Sequence, residues 1–359
     1  MRHLQTAMCA LILLLLCACS ASVPLNHGAE TQAGTQDISS FPYGYDKVNQ
    51  INLVLGFSGP DSSLNGYWAS QYKQHVEDLS NGKITIDIYS ESMLGSDLEM
   101  AADCQYGTVD IQITTPAALV TVIPEAAIFD MPFLFKDLTS ARAALSGEVF
   151  FQYLAEAYEK NGLILLPLTD QGFRDLSIST PIESFDDLKP LTIRCLNNEH
   201  HVAFWEALGI HTVSMDIADV YLALQKGGVQ GEENPYDQIY HRKFFEVQKY
   251  VTNSNHLLYV GAMHISKITW DSLSETSQNI LWSAAEECRR LMPEHVDIAN
   301  AKALAQMNKE GIRLIDFDSI PELREQCRAL CQPAAYDSIA AVTGNEILDS
   351  WCATAGWTP

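Results

Sequence analysis

From Asn49 onward the chain repeats one pattern, a short apolar or alternating run followed by an amphipathic stretch and then another run. "INLVLGF" reads as a strand, "LNGYWASQYKQHVEDLS" as an amphipathic helix, "NGK" as a turn and "ITIDIYS" as a strand of period two. Ser96 and Glu99 have the spacing of a capping box, which opens a helix through Tyr106. Gly107 closes that helix and "VDIQIT" is the next strand. Strand, helix, strand, helix, strand leaves few ways to bury both kinds of apolar face, and the expected solution is a parallel α/β layer.

The alternation continues through a helical stretch over 139–160 and an apolar strand over 163–168. A second cycle follows: "RDLSIS", "LTIRC", a helix over 201–208, "IHTVS" and a helix over 217–226. With 359 residues the chain has room for about two domains, or for one domain of two lobes. Glu275–Lys309 reads as one long helix interrupted only by Pro293, long enough to lie across two lobes. The last fifty residues read as helices with "GIRLIDF" as their strand, and no internal repeat is visible.

Charge narrows the partners. Asp and Glu number 45 against 22 Lys and Arg, a formal net charge of −23. Nucleic acid needs a basic footprint that is missing here, and no polybasic patch suits an anionic membrane surface. In so acidic a chain an anionic ligand can bind only where arginines gather locally.

The N-terminus carries Arg2 and then a continuous apolar run from Ala7 to Cys19, too short to span a bilayer and laid out as a secretory signal. Leu16-Cys17-Ala18-Cys19 resembles a bacterial lipobox with Cys19 as the lipidated residue; simple cleavage is the other reading. Residues 1–19 are therefore expected to be a signal peptide and 20–46, rich in Ser, Thr, Gly and Gln, a flexible tether. Six cysteines follow Cys19, with no C-x-x-C pair, so a structural zinc site is not expected. Cys327 and Cys331, four apart on a helix, are badly placed to pair, and most of the six read as small buried hydrophobes.

Catalytic signatures are missing: there is no G-x-S-x-G, H-E-x-x-H, P-loop or G-x-G-x-x-G. Glu199, His200 and His201 are adjacent, do not face one way on a helix, and read as a partly exposed helix start rather than a metal site. Asp186-Asp187 and Glu232-Glu233 read as solvated turns rather than acid–base pairs. "LTIRC" stands apart. Leu191, Ile193 and Cys195 form one face, which sends Arg194 off the other. In isolation that is a surface arginine on an edge strand; near the carboxyl end of a strand in an open α/β sheet, it is placed where ligands bind.

Several motifs in order resemble the solute-binding subunits of TRAP transporters, the C4-dicarboxylate-binding type. They are "SESMLGSDLEMAADCQYGTVDI", "IPEAAIFDMPFLF", "GFRDLSISTPIESFDDLKPLTIRCLNN", "LGIHTVSMDIADVYLALQKGGVQGEENP" and "KFFEVQKYVTNSNH". The resemblance covers roughly residues 49–309. It implies a two-lobed periplasmic-binding-protein-like α/β fold with a long helix spanning both lobes, which closes on a small organic acid outside the cytoplasmic membrane. The acid is then handed to a small and a large membrane subunit driven by an ion gradient. The expected division is 47–171 with 260–299 as lobe 1, and 172–259 with 300–359 as lobe 2.

By the same resemblance Arg194 pairs with a ligand carboxylate, and Arg174, Asn197 and Asn234 are further contacts. Phe173 and Tyr236 are candidates for the cleft wall, while Trp68 and Trp270 read as core or rim. Gln230 and Glu232 replace the family's usual aspartate and glutamine, Leu196 stands where proline is common, and Ile217 where an aromatic packs on the ligand. Ser58, Thr115 and Ala118 do not reproduce the first-lobe set of the sialic-acid branch. The expectation is a non-enzymatic, extracytoplasmic binding protein, lipid-anchored, without cofactor or metal. The alternative is a ligand-sensing lipoprotein of the same fold that signals to a membrane partner.

Overall fold

The computed structural model describes residues 48–359; the expected signal peptide, Cys19 and the tether lie outside the described residues. The first cycle is β1 (Ile51–Phe57), α1 (Leu64–Leu79), β2 (Ile84–Tyr89), α2 (Asp97–Tyr106) and β3 (Ile111–Thr114). In α1 the side chains Leu64, Trp68, Tyr72 and Val76 recur every fourth residue and are buried, so one stripe faces the core. The capping box on α2 is complete: Ser96 Oγ accepts from Glu99 N (3.3 Å) and Glu99 Oε2 accepts from Ser96 N (2.8 Å). Gly107 ends α2 at φ 74°, a left-handed conformation that glycine adopts without a steric penalty.

The chain continues with α3 (Leu138–Leu145), α4 (Glu148–Lys160), β4 (Leu163–Leu165) and β5 (Thr169–Ile178). The single helix expected over 139–160 is two, because the chain turns at Ser146 and Gly147 caps α4. Next come β6 (Thr192–Cys195), α5 (Glu199–Ala207), β7 (His211–Ser214), α6 (Val220–Gln225), β8 (Gly231–Asn234) and α7 (Tyr236–His241). The last elements are β9 (Tyr250–Thr252), β10 (Leu257–Ser266), α8 (Lys267–Ser272), α9 (Glu275–Lys309), β11 (Arg313–Ile315), α10 (Leu323–Thr343) and α11 (Asn345–Ala353).

The strands run in the order β2-β1-β3-β10-β5-β8-β6-β7, with β4, β9 and β11 attached off this path. Where helices connect neighbours the pairing is parallel, as in β1–β2, β1–β3 and β6–β7. The parallel layer expected from the first cycle forms there, but the sheet as a whole is mixed. β10 is antiparallel to β3, β4 and β5, and β5 is antiparallel to β8 and β9. Every residue of β10 is buried, so its sequence shows a continuous apolar run without a period to read.

The expected lobe divisions at 171/172 and 259/260 fall inside β5 and β10, the two ten-residue strands that pair with each other at the middle of the sheet. The helix expected over Glu275–Lys309 has those ends. Its residues Ile280, Leu281, Met292 and Val296 pack in the core of β1, β2 and α1, while Met307 packs with Val220, Ile239 and Val251. One helix thus contributes to a core on each side. Asn300 of α9 donates to Gln171 O (3.0 Å) and accepts from Asp237 N (3.0 Å), which fixes the helix to β5 and α7 where the chain crosses. Gly172 lies at φ +94°, and a Cβ there would fall 2.9 Å from Asn300 Nδ2.

Arg142 adds a second tie, donating to both oxygens of Asp170 (2.7 and 3.1 Å) and both of Asp297 (2.9 and 2.7 Å). The six cysteines after Cys19 are free and buried, as small hydrophobes. No helix among the described residues is long and apolar enough to cross a membrane.

Candidate functional site

Gly231–Asn234, the strand β8, lies between β5 and β6 and carries the buried acidic residues Glu232 and Glu233. Gly231 is a steric requirement, since a Cβ there would stand 2.7 Å from Ile178 Cγ2 and 2.8 Å from Ser177 O. Ser177 pairs with Glu232 and Leu176 with Glu233 across the ladder to β5. On the other side Ile193 pairs with Gly231, so Arg194 stands one step along beside Glu232. Successive side chains of a strand point to opposite faces. Arg194, Glu232 and Ser177 therefore form one row, and Glu233 looks the other way. The solvated acidic turn expected for Glu232 and Glu233 is instead a buried strand on which both are 0% exposed.

Glu233 is fully paired. Arg174 Nε and Nη2 both donate to its carboxylate, Nη2–Oε1 being 2.8 Å, and Nη2 also donates to Glu233 O (2.7 Å). The Arg174 guanidinium lies 5.1 Å from the centre of the Tyr259 ring. His256 Nε2 is 3.2 Å from Glu233 Oε2, and its Nδ1 is 3.0 Å from Ser254 Oγ. Burial works against the Glu233 charge, yet the Arg174 charge and the bonds from His256 and Arg174 outweigh it and hold the carboxyl well below its usual range. Burial likewise opposes the Arg174 cation, and the charge and bonds of Glu233 raise its pKa. A bidentate, buried pair of this kind is a fixed part of the scaffold.

Arg194 is the opposite case. It is 1% exposed rather than a surface residue, and β6 lies between β8 and β7 rather than at an edge. Its Nε and Nη2 donate to one carbonyl, Met215 O (3.1 and 2.8 Å), and its buried Nη1 has no partner. Burial lowers its pKa, although not enough to neutralise a guanidinium. Next to it Glu232 takes one bond, from Asn234 Nδ2 to Oε2 (2.7 Å), while Oε1 is buried without a partner. The row holds a third orphan, Ser177 Oγ.

The remaining predicted residues divide. Asn234 is buried in the row, with its Oδ1 still able to accept. Asn197 is exposed, and the cap of α5 is its neighbour Asn198, whose Oδ1 accepts from His200 N and His201 N. Phe173 packs against the large core and Tyr236 against the core of α6 and α7, with Tyr236 Oη donating to Thr252 O (2.6 Å). His200 and His201 are buried rather than a partly exposed helix start; His201 Nε2 lies 3.2 Å from Asp130 Oδ1.

Asp97, at the start of α2, feels the charges of Arg242 and Arg194 and accepts a hydrogen bond from Ser58, the residue after β1. Arg242, directly after α7, reaches Ser58 Oγ with Nη2 (3.2 Å) and Gln238 Oε1 with Nε (2.8 Å). Sequence reasoning missed Arg242. The available signal was its basic charge eight residues past Asn234 in an acidic chain, hidden in the run His241-Arg242-Lys243. Burial raises Asp97 and lowers Arg242, and each opposes the other's shift through its charge.

Two surface cavities lie elsewhere. One, of about 470 Å³, is lined by Arg142, Asp170 and Trp282, and its Arg142 is already neutralised by two carboxylates. The other, of about 540 Å³, is lined by Lys136, Arg324 and Arg328. Neither touches the row on β5, β8 and β6.

Comparison with known proteins shows the family and the fold. Residues 56–341 match the bacterial extracellular solute-binding protein, family 7. The C4-dicarboxylate-binding periplasmic protein DctP of Rhodobacter capsulatus is 30% identical over 263 residues, 72% of this chain and 78% of that protein. A TRAP periplasmic solute-binding protein from Polaromonas, solved with D-erythronate, superposes with a TM-score of 0.79 at 29% identity, over 84% of this chain and 98% of that one. The sugar-acid-binding protein of Advenella mimigardefordensis, solved with galactonate, superposes at 0.81 with 27% identity, over 86% and 98%.

Proposed function

The chain belongs to family 7 of the bacterial extracellular solute-binding proteins, and from that membership we propose that Arg194 holds the carboxylate of a small organic acid captured between the lobes. The family consists of extracytoplasmic, TRAP-type solute-binding transport proteins, and its relatives of similar fold hold erythronate and galactonate. The observation that carries the assignment is the pairing state of the arginines. Glu233 already neutralises Arg174, whereas Arg194 is buried with an unpartnered Nη1 and no carboxylate among the described residues within 4.0 Å.

A buried guanidinium with no carboxylate bonded to it is costly unless a ligand supplies one. A carboxylate arriving beside Nη1 completes that pair in a water-poor cleft, where the Coulomb attraction is several-fold stronger than in water. Removing one partner of such a pair costs about 3–5 kcal/mol, about a hundred- to several-thousand-fold in affinity. Arg174 is held by Glu233 and supports β8 from its other face, while Asn234, in the same row as Arg194, keeps Oδ1 able to accept. The two lobes would close by bending at β5, β10 and α9, and the acid would pass to the TRAP membrane subunits.

Thermal-shift screening of the purified protein against dicarboxylates, sugar acids, oxo acids and neutral sugars tests the clamp. A ligand at a hundred times its Kd adds about 2.7 kcal/mol of stability. One acid class should stabilise the wild type, and Arg194→Met should stay folded without responding. A response to neutral sugars alone, or an equal response in the variant, would make Arg194 a structural residue. The same reading places the protein on a lipid anchor at Cys19. Fatty-acid labelling should be lost in Cys19→Ser, and labelling that persists there would remove the anchor.

A further inference from the structure

We propose that Glu232 takes up a proton when the anionic ligand binds, so that the site captures an acid and a proton together. The proposal rests on the assignment of Arg194 as the carboxylate site. Glu232 is fully buried, neighbours Arg194 across the β6–β8 ladder, and has an oxygen, Oε1, with no hydrogen-bond partner.

The charges around Glu232 leave it little alternative. Glu233 on the same strand repels it. Arg194 on β6, Arg174 on β5 and Arg242 after α7 attract it, but no described cation lies within 4.0 Å of its carboxylate. Arg174 is committed to Glu233, and Arg242 is also attracted to Asp97. Tyr259, facing Arg174 and Arg242, is kept protonated, pushed up to about 12 by burial. His201 and His256 lie against Glu233 rather than Glu232. Arg194 is thus the cation next to Glu232 in its row, and the ligand carboxylate neutralises it. Two carboxylates sharing one buried cation do not both ionise. A proton from solvent goes to the free lone pairs of Glu232 Oε1, where the O–H can donate to the bound anion. One anion and one proton enter together, and the net charge of the site is unchanged. Burial, with the repulsion of Glu233 added and the Asn234 bond and arginine charges opposing, already raises the empty-site carboxyl to about 7.

The sign follows. Above neutrality Glu232 is ionised in the empty protein, so capture must draw in a proton and affinity falls by about tenfold per pH unit. At more acidic pH the proton is already present and affinity levels off.

The test is calorimetric titration with D-erythronate, galactonate and succinate in two buffers of different ionisation enthalpy, at pH 6 and pH 8. Wild type should take up close to one proton per ligand at pH 8 and little at pH 6. Glu232→Gln should take up none at either pH and bind at pH 8 as wild type does at pH 6. Asp175 and Asp237, raised by burial to about 7 and about 6, are the competing acceptors, and Asp175→Asn and Asp237→Asn should keep the uptake. No uptake in wild type at pH 8, uptake retained in Glu232→Gln, or uptake lost in either aspartate variant overturns the proposal. Should Glu232→Gln not fold, the wild-type count and the aspartate variants decide. Binding of any of the three acids that Arg194→Met leaves unchanged would instead overturn the Arg194 assignment, and this proposal with it.

Discussion

The two faces of β8 solve the same problem differently. On one, Glu233 meets Arg174 and His256 and its carboxylate is fully hydrogen-bonded. On the other, Glu232, Arg194 and Ser177 each bury an atom that has no hydrogen-bond partner among the described residues. Both faces are equally dry, so burial does not distinguish scaffold from site. What distinguishes them is whether the buried carboxylate is satisfied from within the chain: both oxygens of Glu233 are bonded, and Oε1 of Glu232 is not. The satisfied face sets the geometry, and the unsatisfied face specifies what must come from outside.

That comparison predicts unequal responses to one substitution. Arg174→Met should cost about 3–5 kcal/mol, because it leaves Glu233 charged, buried and unpaired. In a protein of this size, thermal unfolding should show a loss on the order of 5–10 °C. An unchanged Tm would mean that the Arg174 face is not scaffold. Glu232→Gln gives a smaller effect with a definite pH signature. The folded carboxyl, raised to about 7 from an ordinary value of 4.5, binds its proton more tightly than the unfolded chain does. Wild type therefore loses stability as pH rises from about 4.5 to about 7, and the variant does not. Denaturant titrations should show the variant gaining up to about 3 kcal/mol on wild type by pH 8 and nothing below pH 4. A gap independent of pH would show that Glu232 is not the titrating group.

Arg194→Met should alter stability least, by no more than about 1.5 kcal/mol, since the bonds lost to Met215 O are offset by removing a buried charge to which no carboxylate is bonded. A loss matching that of Arg174→Met would erase the distinction between the faces.

Features held by near neighbours were legible in the sequence. The Ser96–Glu99 capping box, the Gly107 stop, the α1 stripe and both ends of α9 came from signals within one to four residues, the range over which a helix forms its own bonds. The alternation of strand and helix was legible for the same reason, whereas the two-lobed class and the interest in the arginine on "LTIRC" came from the family resemblance; its own residues suggested a surface arginine, and it is buried. The antiparallel course of β10 was not, because a strand buried along its whole length has no polar face to mark it. Nor were the opposite fates of Glu232 and Glu233, adjacent and alike in sequence. Glu233 owes its charge to Arg174, 59 residues away, and Glu232 owes its free oxygen to the absence of such a partner on its own face. Arg242 joins Ser58 across 184 residues. Local hydrogen bonding and apolar periodicity are written in the order of residues. Which buried charges meet is decided only when distant segments pack, because the ladder that juxtaposes them is itself a product of folding.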